Sequence, residues 1–340
     1  MMDTKFGLDI GTCNIRLSSI GSGEILTEKN VIAIKNNKLI LGFGDEAYEM
    51  FEKAPEYIDV IFPVVDGVIS DIDKLQLILE NQFKKLNYGK ITKGSDFLIA
   101  VPTDTTEVEK RAFHELVANS KIKPRSISVV EKSIADAVCC GIDMHSPKGN
   151  IIVNIGADTT DISVISMGGI VLSSTTKVAG NKLNEVIMNA IRLRDEKLIG
   201  MKSAEQLKFN LADLSEDPKK SELTIFARVM ATGLPVRTTI DSDIINETIH
   251  TALKPVIDAV KRTLERTPPE LAADIVETGI FLVGGTSNIR NIDELFSRET
   301  GLRVNLIHDP INSTIRGVTK IFSSSKYDSV RYYPKEKVYN

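Results

Sequence analysis

Two stretches of the chain alternate apolar runs and short polar turns in the same way. Residues 151–153 and 162–165 are β-branched runs flanking the turn Asn154-Ile-Gly-Ala-Asp-Thr-Thr160. This pattern predicts a β-hairpin whose turn can offer backbone N–H groups to an anion. An ordinary surface hairpin would carry the same letters. The N-terminal stretch Phe6-Gly-Leu-Asp-Ile-Gly-Thr-Cys-Asn-Ile-Arg-Leu17 repeats the order: apolar strand, acid or amide, Ile-Gly, small polar turn, apolar strand. An echo across half a chain points to a duplicated unit, and two such turns facing each other would clamp a polyphosphate.

The remaining pattern fills in around the two hairpins. Residues 30–43 read as two strands around Asn36-Asn37, and 44–54 as a short helix. Ser70 is placed to cap a helix over 71–86, with Leu75, Leu77, Ile78 and Phe83 as its apolar positions. A buried-type strand at 97–101 stops at Pro102, a helix opens at Thr106, a strand follows at 126–130, and a helix starts at Lys132. The second half repeats the order. A strand at 170–178 leads to a helix from Gly180-Asn181, a short helix at 203–211 and a polar loop at 213–221. Two strands span 223–240 around Gly233-Leu-Pro235. A long helix follows, with Ile249, Leu253, Val256, Ile257, Val260 and Leu264 on one face. Pro269 suits the first turn of the next helix. A strand at 280–283 ends in Gly284-Gly285-Thr286-Ser287, Gly301 closes a helix at 291–300, and the last helix covers 311–322. Strands alternating with helices predict an α/β fold.

Composition narrows the class. At 340 residues the chain exceeds the size at which one hydrophobic core usually keeps growing, so two lobes are expected. A hydrophobic content of 42% with 26% charged residues is that of a soluble globular protein. The net charge of −4 argues against nucleic-acid coating. No apolar run is long enough to span a bilayer, and no signal peptide opens at Met1. Cys13, Cys139 and Cys140 form neither an even disulfide set nor a zinc spacing, and the four histidines are scattered. A cytoplasmic protein without a structural metal is expected.

Three motifs then point to a family. Gly7-Leu-Asp-Ile-Gly-Thr-Cys-Asn14, Asn154-Ile-Gly-Ala-Asp-Thr-Thr160 and Val283-Gly-Gly-Thr-Ser287 resemble the two phosphate motifs and the adenosine motif of the actin-like ATPase superfamily. Within it the chain resembles MreB, the bacterial actin of rod-shaped cells. Asp66-Gly-Val-Ile-Ser-Asp71, Val108-Glu-Lys-Arg111, Val164-Ile-Ser-Met-Gly-Gly-Ile170, Ala231-Thr-Gly-Leu-Pro235 and the stretch 260–275 match it in order. The resemblance implies an actin-like, duplicated ribonuclease-H-like fold of two lobes, each with a large and a small subdomain. These are subdomain IA at 1–31, 75–145 and 310–325, IB at 32–74, IIA at 146–180 and 242–309, and IIB at 181–241. Residues 326–340 would form a flexible tail of basic residues and tyrosines. It further implies ATP or ADP with Mg²⁺ held between the lobes, and self-assembly into antiparallel paired protofilaments.

By the same resemblance, Gly11, Thr12, Cys13 and Asn14 would lie along the phosphates. Gly156, Ala157, Asp158 and Thr159 would meet them from the other lobe. Asp9 would hold Mg²⁺ through water. Glu205 and Lys208 would flank the nucleoside, or form an exposed ion pair one helical turn apart. Gly284, Gly285, Thr286 and Ser287 would let the backbone approach it. Two positions depart from the hydrolysing pattern, because Lys132 and Asn154 stand where carboxylates are expected. A charged lysine accepts no proton, and an amide brings no charge to a metal. Positioning or general-base help is worth about 100- to 10,000-fold, so slow hydrolysis is expected. Glu131 or Asp158 could substitute, and Lys132 could instead pair with the γ-phosphate or Asp158.

Attachment to the inner membrane face remains open in the sequence. Residues 1–4 are too short for an amphipathic helix, and residues 87–95 are polar and basic. The stretch 326–340 interleaves lysine and arginine with tyrosines, which suits an anionic lipid surface or a solvated terminus. Other cytoskeletal paralogues are candidate partners. A small-molecule kinase of the same fold lacks a separate substrate motif here, and a heat-shock-type chaperone lacks its peptide-binding part.

Overall fold

The uniformly apolar runs become the inner strands of two five-stranded sheets in the computed structural model, which describes residues 5–85 and 94–334. The chain divides into two units. The first comprises residues 1–147, 165–170 and 312–340, and the second 148–164 and 171–311.

The first elements are β1 (Lys5–Ile10), β2 (Asn14–Ser19), β3 (Ile25–Lys29), β4 (Ile32–Lys35), β5 (Leu39–Phe43), α1 (Asp45–Met50), β6 (Ile58–Ile61), β7 (Val64–Val65) and β8 (Val68–Ile69). There follow α2 (Ile72–Lys85), β9 (Asp96–Val101), α3 (Glu107–Ala118), β10 (Ser126–Glu131) and α4 (Lys132–Cys139). The chain continues through β11 (Asn150–Ile155), β12 (Thr160–Ser166), β13 (Gly169–Thr176), α5 (Gly180–Asp195), β14 (Lys197–Leu198), α6 (Met201–Leu211), β15 (Glu222–Val229) and β16 (Pro235–Asp241). It closes with α7 (Ser242–Arg266), α8 (Pro269–Thr278), β17 (Ile280–Val283), α9 (Ile292–Thr300), β18 (Val304–Leu306) and α10 (Ser313–Ser323).

The two large sheets share one connectivity. Their strand orders are β3-β2-β1-β9-β10 and β13-β12-β11-β17-β18, so each reads 3-2-1-4-5 when numbered from its own first strand. Each unit also carries a three-stranded sheet, β5-β4-β6 in the first and β14-β15-β16 in the second. The duplicated grammar of the sequence is therefore a duplicated topology.

In the first unit Phe6 stacks on Phe97 at 5.5 Å, and Phe83 of α2 meets Phe97 edge-on at 5.6 Å. Helix α10 packs tightly against α4 and β1. A Cβ on Gly317 would overlap the Ala135 carbonyl, and one on Gly7 would fall 2.7 Å from a Val318 methyl. The fully buried Asp136 accepts hydrogen bonds from the Ser313 and Thr314 hydroxyls, both 2.8 Å, so α10 starts on a carboxylate. The second unit buries Ile151, Val153 and Ile155 of its central strand with the α7 stripe Ile249, Leu253, Val256 and Val260. Pro255 lies inside α7 on its exposed side.

Some local expectations change. The first turn of α2 is capped by Asp71, whose carboxylate accepts from the Lys74 amide at 3.0 Å, while Ser70 donates to Pro63 instead. The free tail is corrected over its described part. Residues 325–330 form a 3₁₀ helix with Tyr327 and Val330 buried, and Tyr332 bridges in antiparallel fashion to Val129 on the edge strand β10. Lys326 lies 3.4 Å from Asp143. Residues 1–4, 87–93 and 335–340, which carried part of the membrane expectation, lie outside the described residues. Among the described residues no helix is long and apolar enough to cross a membrane.

The tight seat of α10 yields a test. Gly317→Ala is expected to lower stability by about 1–3 kcal/mol, because the Ala135 backbone must shift. Gly169→Ala, whose added carbon meets only ordinary contact, is expected to change it by less than about 0.5 kcal/mol. Denaturant midpoints of the two variants check this, and equal midpoints would contradict the packing.

Candidate functional site

Each large sheet carries a glycine turn directly after its middle strand. The Gly11 amide donates to the Asn14 carbonyl at 2.9 Å, and the Gly156 amide to the Thr159 carbonyl at 2.9 Å. A Cβ on either glycine would stand 3.1 or 3.0 Å from that same carbonyl, so glycine permits the closure. Matching the turns sets Asp9 beside Asn154, Thr12 beside Ala157, Cys13 beside Asp158, and Asn14 beside Thr159 as equivalent positions.

In the first unit the turn is clamped by Asn30, which is fully buried at the β3–β4 junction. Its amide donates to the Cys13 carbonyl at 2.9 Å and its side chain to the Gly11 carbonyl at 2.8 Å. Carbonyl oxygens, which repel an anion, are thereby tied to the protein. Asn30 carried no signal in the sequence and was missed. Lys29 adds a cation 3.2 Å from the Cys13 sulfur.

Beneath the turn lies a charge cluster. Asp9 pairs with Arg16 across the hairpin, in register, with Nη1 3.0 Å from Oδ2. Lys132, the first residue of α4, places its ammonium 3.1 Å from Asp9 Oδ1 and donates to the Ile10 carbonyl at 2.9 Å. The contact with Oδ1 is an ion pair by distance, and that oxygen receives no aligned hydrogen bond. Arg16 is steadied by Asn312, whose Oδ1 accepts from Nε at 3.0 Å. Burial opposes the charge on Asp9, but Lys132 and Arg16 outweigh it and hold the carboxyl below its ordinary range. Arg16 was also missed, although an arginine inside an apolar strand, opposite an acid across a four-residue turn, is a readable sign of a buried pair.

Glu131, a sequence candidate for the missing base, faces elsewhere. Its Oε1 accepts from the Tyr332 hydroxyl at 2.8 Å and lies 3.4 Å from Lys110 Nζ. Burial and the neighbouring Glu131 push the Tyr332 phenol up, so it stays protonated and donates. Glu131 is thus committed to the C-terminal segment.

In the second unit the Gly156 carbonyl accepts from the Thr286 hydroxyl at 2.7 Å and the Gly180 amide at 3.1 Å. Lys208, buried in α6, donates to the Gly180 carbonyl at 2.9 Å and lies 4.7 Å from the centre of the Phe209 ring. Lys208 turns inward, whereas Glu205 is half-buried on the same helix. Gly284 has φ 92°, and a Cβ there would run into Ile155 and the Asn154 side chain. Ser287 donates to the Val283 carbonyl at 2.6 Å and fixes the turn after β17, in which Gly285 lies. The structure therefore brings Gly156, Gly180, Lys208, Gly284 and Thr286 together. The Asp158 carboxylate accepts from the Asn181 side chain at 2.7 Å at the start of α5, so it is held locally.

The donors do not fit the expected Mg²⁺ on Asp9. A dication about 4 Å from a unit charge gains or loses roughly 8 kcal/mol at an effective dielectric near 20. One carboxylate attracts it, while two cations at the same carboxylate repel it. The equivalent position in the second unit is the neutral Asn154. Among the described residues no group of three or more His, Cys, Asp or Glu side chains could hold a metal.

The sequence profile of the MreB/Mbl protein family matches residues 3–329. Cell shape-determining protein Mbl of Bacillus subtilis (strain 168) is 34% identical over 339 residues, covering 99% of this chain and 100% of that protein. Among solved structures, MreB 5 of Spiroplasma citri bound to AMPPNP aligns with a TM-score of 0.89 at 34% identity, covering 94% of this chain and 95% of that one. MreB5 of Spiroplasma citri bound to ADP gives 0.89 at 33% identity, over 96% and 98%.

Asp9→Asn leaves two cations facing an amide and is expected to cost about 3–5 kcal/mol at neutral pH. The folded pKa lies below the unfolded one, so the carboxylate's contribution is fully present above the unfolded value. It is lost as pH falls through the folded pKa. The stability gap between wild type and variant should stay level at neutral pH and close only below about pH 4. Urea unfolding across that range reads it, and a gap that closes well above the carboxylate range would contradict the lowered pKa.

Proposed function

The chain belongs to the MreB/Mbl family and has an actin-like fold. From that premise we propose that it is a cytoskeletal protein that binds ATP and ADP, assembles into filaments supporting cell shape or motility, and hydrolyses nucleotide slowly or not at all. The filaments are antiparallel paired protofilaments in the cytoplasm, at or near the inner membrane face, and the four-subdomain division read from the sequence belongs to this proposal.

Nucleotide binding is supported by two turns with the same closing hydrogen bond, and by relatives whose structures were determined with AMPPNP and ADP. The phosphates would meet residues 11–14 and 156–159. The nucleoside would meet residues 284–287, with Lys208 and Glu205 beside it.

Weak hydrolysis rests on one observation, the commitment of Lys132 to Asp9. A charged lysine takes no proton from water. The two residues that could replace it, Glu131 and Asp158, are hydrogen-bonded to Tyr332 and Asn181. No specific observation favours an actively hydrolysing enzyme or a small-molecule kinase. A membrane role for the whole tail is weakened, because Tyr327 and Tyr332 are used in packing, whereas Tyr333 is exposed.

Phosphate release measured alongside electron microscopy tests the proposal. Filaments are expected with ATP, together with release at least about 100-fold slower than in a Lys132→Glu, Asn154→Asp double variant. Rapid release by the unmodified protein would remove the weak-hydrolysis reading. Failure to polymerise with any nucleotide would remove the filament reading.

A further inference from the structure

The charge cluster under the first turn carries an inference beyond slow hydrolysis. It rests on the nucleotide reading above. We propose that Lys132 supplies, from the protein itself, the positive charge that a divalent cation would bring, so that this chain binds a nucleoside triphosphate without Mg²⁺.

The position is built rather than incidental. Lys132 is fixed at two points, the Asp9 carboxylate at 3.1 Å and the Ile10 carbonyl at 2.9 Å. It occupies the first residue of α4, where the helix dipole disfavours a cation. Only a local partner or an incoming anion makes that placement favourable. Asp9 and Arg16 are nearly sealed, with side chains 6% and 8% exposed, while Lys132 is 16% exposed. Of the three charges, Lys132 is the one that reaches solvent. One carboxylate and two cations leave the cluster with a net positive charge beside a turn whose carbonyls are tied down by Asn30. A polyphosphate gains from that charge directly, whereas a dication is repelled by it.

The test is the affinity of the full chain for a fluorescent AMPPNP analogue, with excess magnesium and with EDTA. The wild-type dissociation constant is expected to change by no more than about threefold between the two. Lys132→Met removes one positive charge and should weaken binding in EDTA by about tenfold. Lys132→Glu reverses it and should bind poorly in EDTA, with magnesium restoring affinity by about tenfold or more. Wild-type binding that collapses on chelation overturns the proposal while leaving the nucleotide reading intact. Absence of binding in both conditions overturns both. The wild-type comparison needs no variant, so a misfolded substitution, seen by circular dichroism, leaves that arm decisive.

Discussion

Burying one carboxylate at the end of β1 organises much of the first unit. A charged group sealed from water must be paired, and Asp9 is paired twice. The hairpin register supplies Arg16 opposite it, and the first residue of α4 supplies Lys132. Arg16 in turn requires Asn312, just ahead of α10. One ionised side chain therefore ties β1, β2, α4 and the entry to α10 into a single arrangement. Helix α10 is seated by a second buried carboxylate, Asp136, and by a glycine that lets it meet the α4 backbone. Electrostatics and steric fit converge on the same helix pair.

The second unit repeats the topology without that charge. Its counterpart of Asp9 is Asn154, and the turn is held by neutral donors instead, the Thr286 hydroxyl and the Gly180 amide on one carbonyl. The shared part of the duplication is backbone: strand order, glycine and closing hydrogen bond. What differs is the side-chain chemistry placed on it. A backbone turn that offers N–H groups works in either electrostatic setting, so the two copies were free to diverge in charge while keeping their geometry.

The fold was legible where burial is two-sided. Strands such as β9, with every residue buried, read as unbroken apolar runs, and the two hairpins announced the duplication. The strands that sequence reading passed over are short and mixed, such as β3 with Glu28 and Lys29, β6 with Asp59, and β18 with Asn305. Such strands gain order from a neighbour's hydrogen bonds rather than from their own pattern. The tail misled for a related reason. Its lysines and arginines suggested a solvated terminus, but Tyr327, Val330 and Tyr332 form an apolar spacing that packs down while Lys326 stays exposed. In the candidate site, the glycine positions and the two closing turns were legible because turn chemistry is local. Partners of Lys132 and Glu131 were not, because Asp9 and Tyr332 lie more than a hundred residues away in sequence and meet them only through tertiary packing.

The adjacency of Glu131 and Lys132 shows why substitution at one position is hard to rescue from the next. Glu131 ends β10 and Lys132 begins α4, and the strand-to-helix change sends their side chains to different partners. Glu131 goes to the Tyr332 phenol and the Lys110 ammonium, Lys132 to Asp9 and the Ile10 carbonyl. Turning Glu131 towards the cluster would leave the Tyr332 phenol, which burial keeps protonated, without its acceptor, and would remove one of the contacts that hold the C-terminal segment on the sheet edge, while Lys110 would keep Glu107 at 3.2 Å. On the proposed reading, a carboxylate is present one residue from where hydrolysis would need it, yet its hydrogen bonds serve the fold. On the same reading the chemistry at that position is that of a charged lysine, which favours holding an anion over activating water.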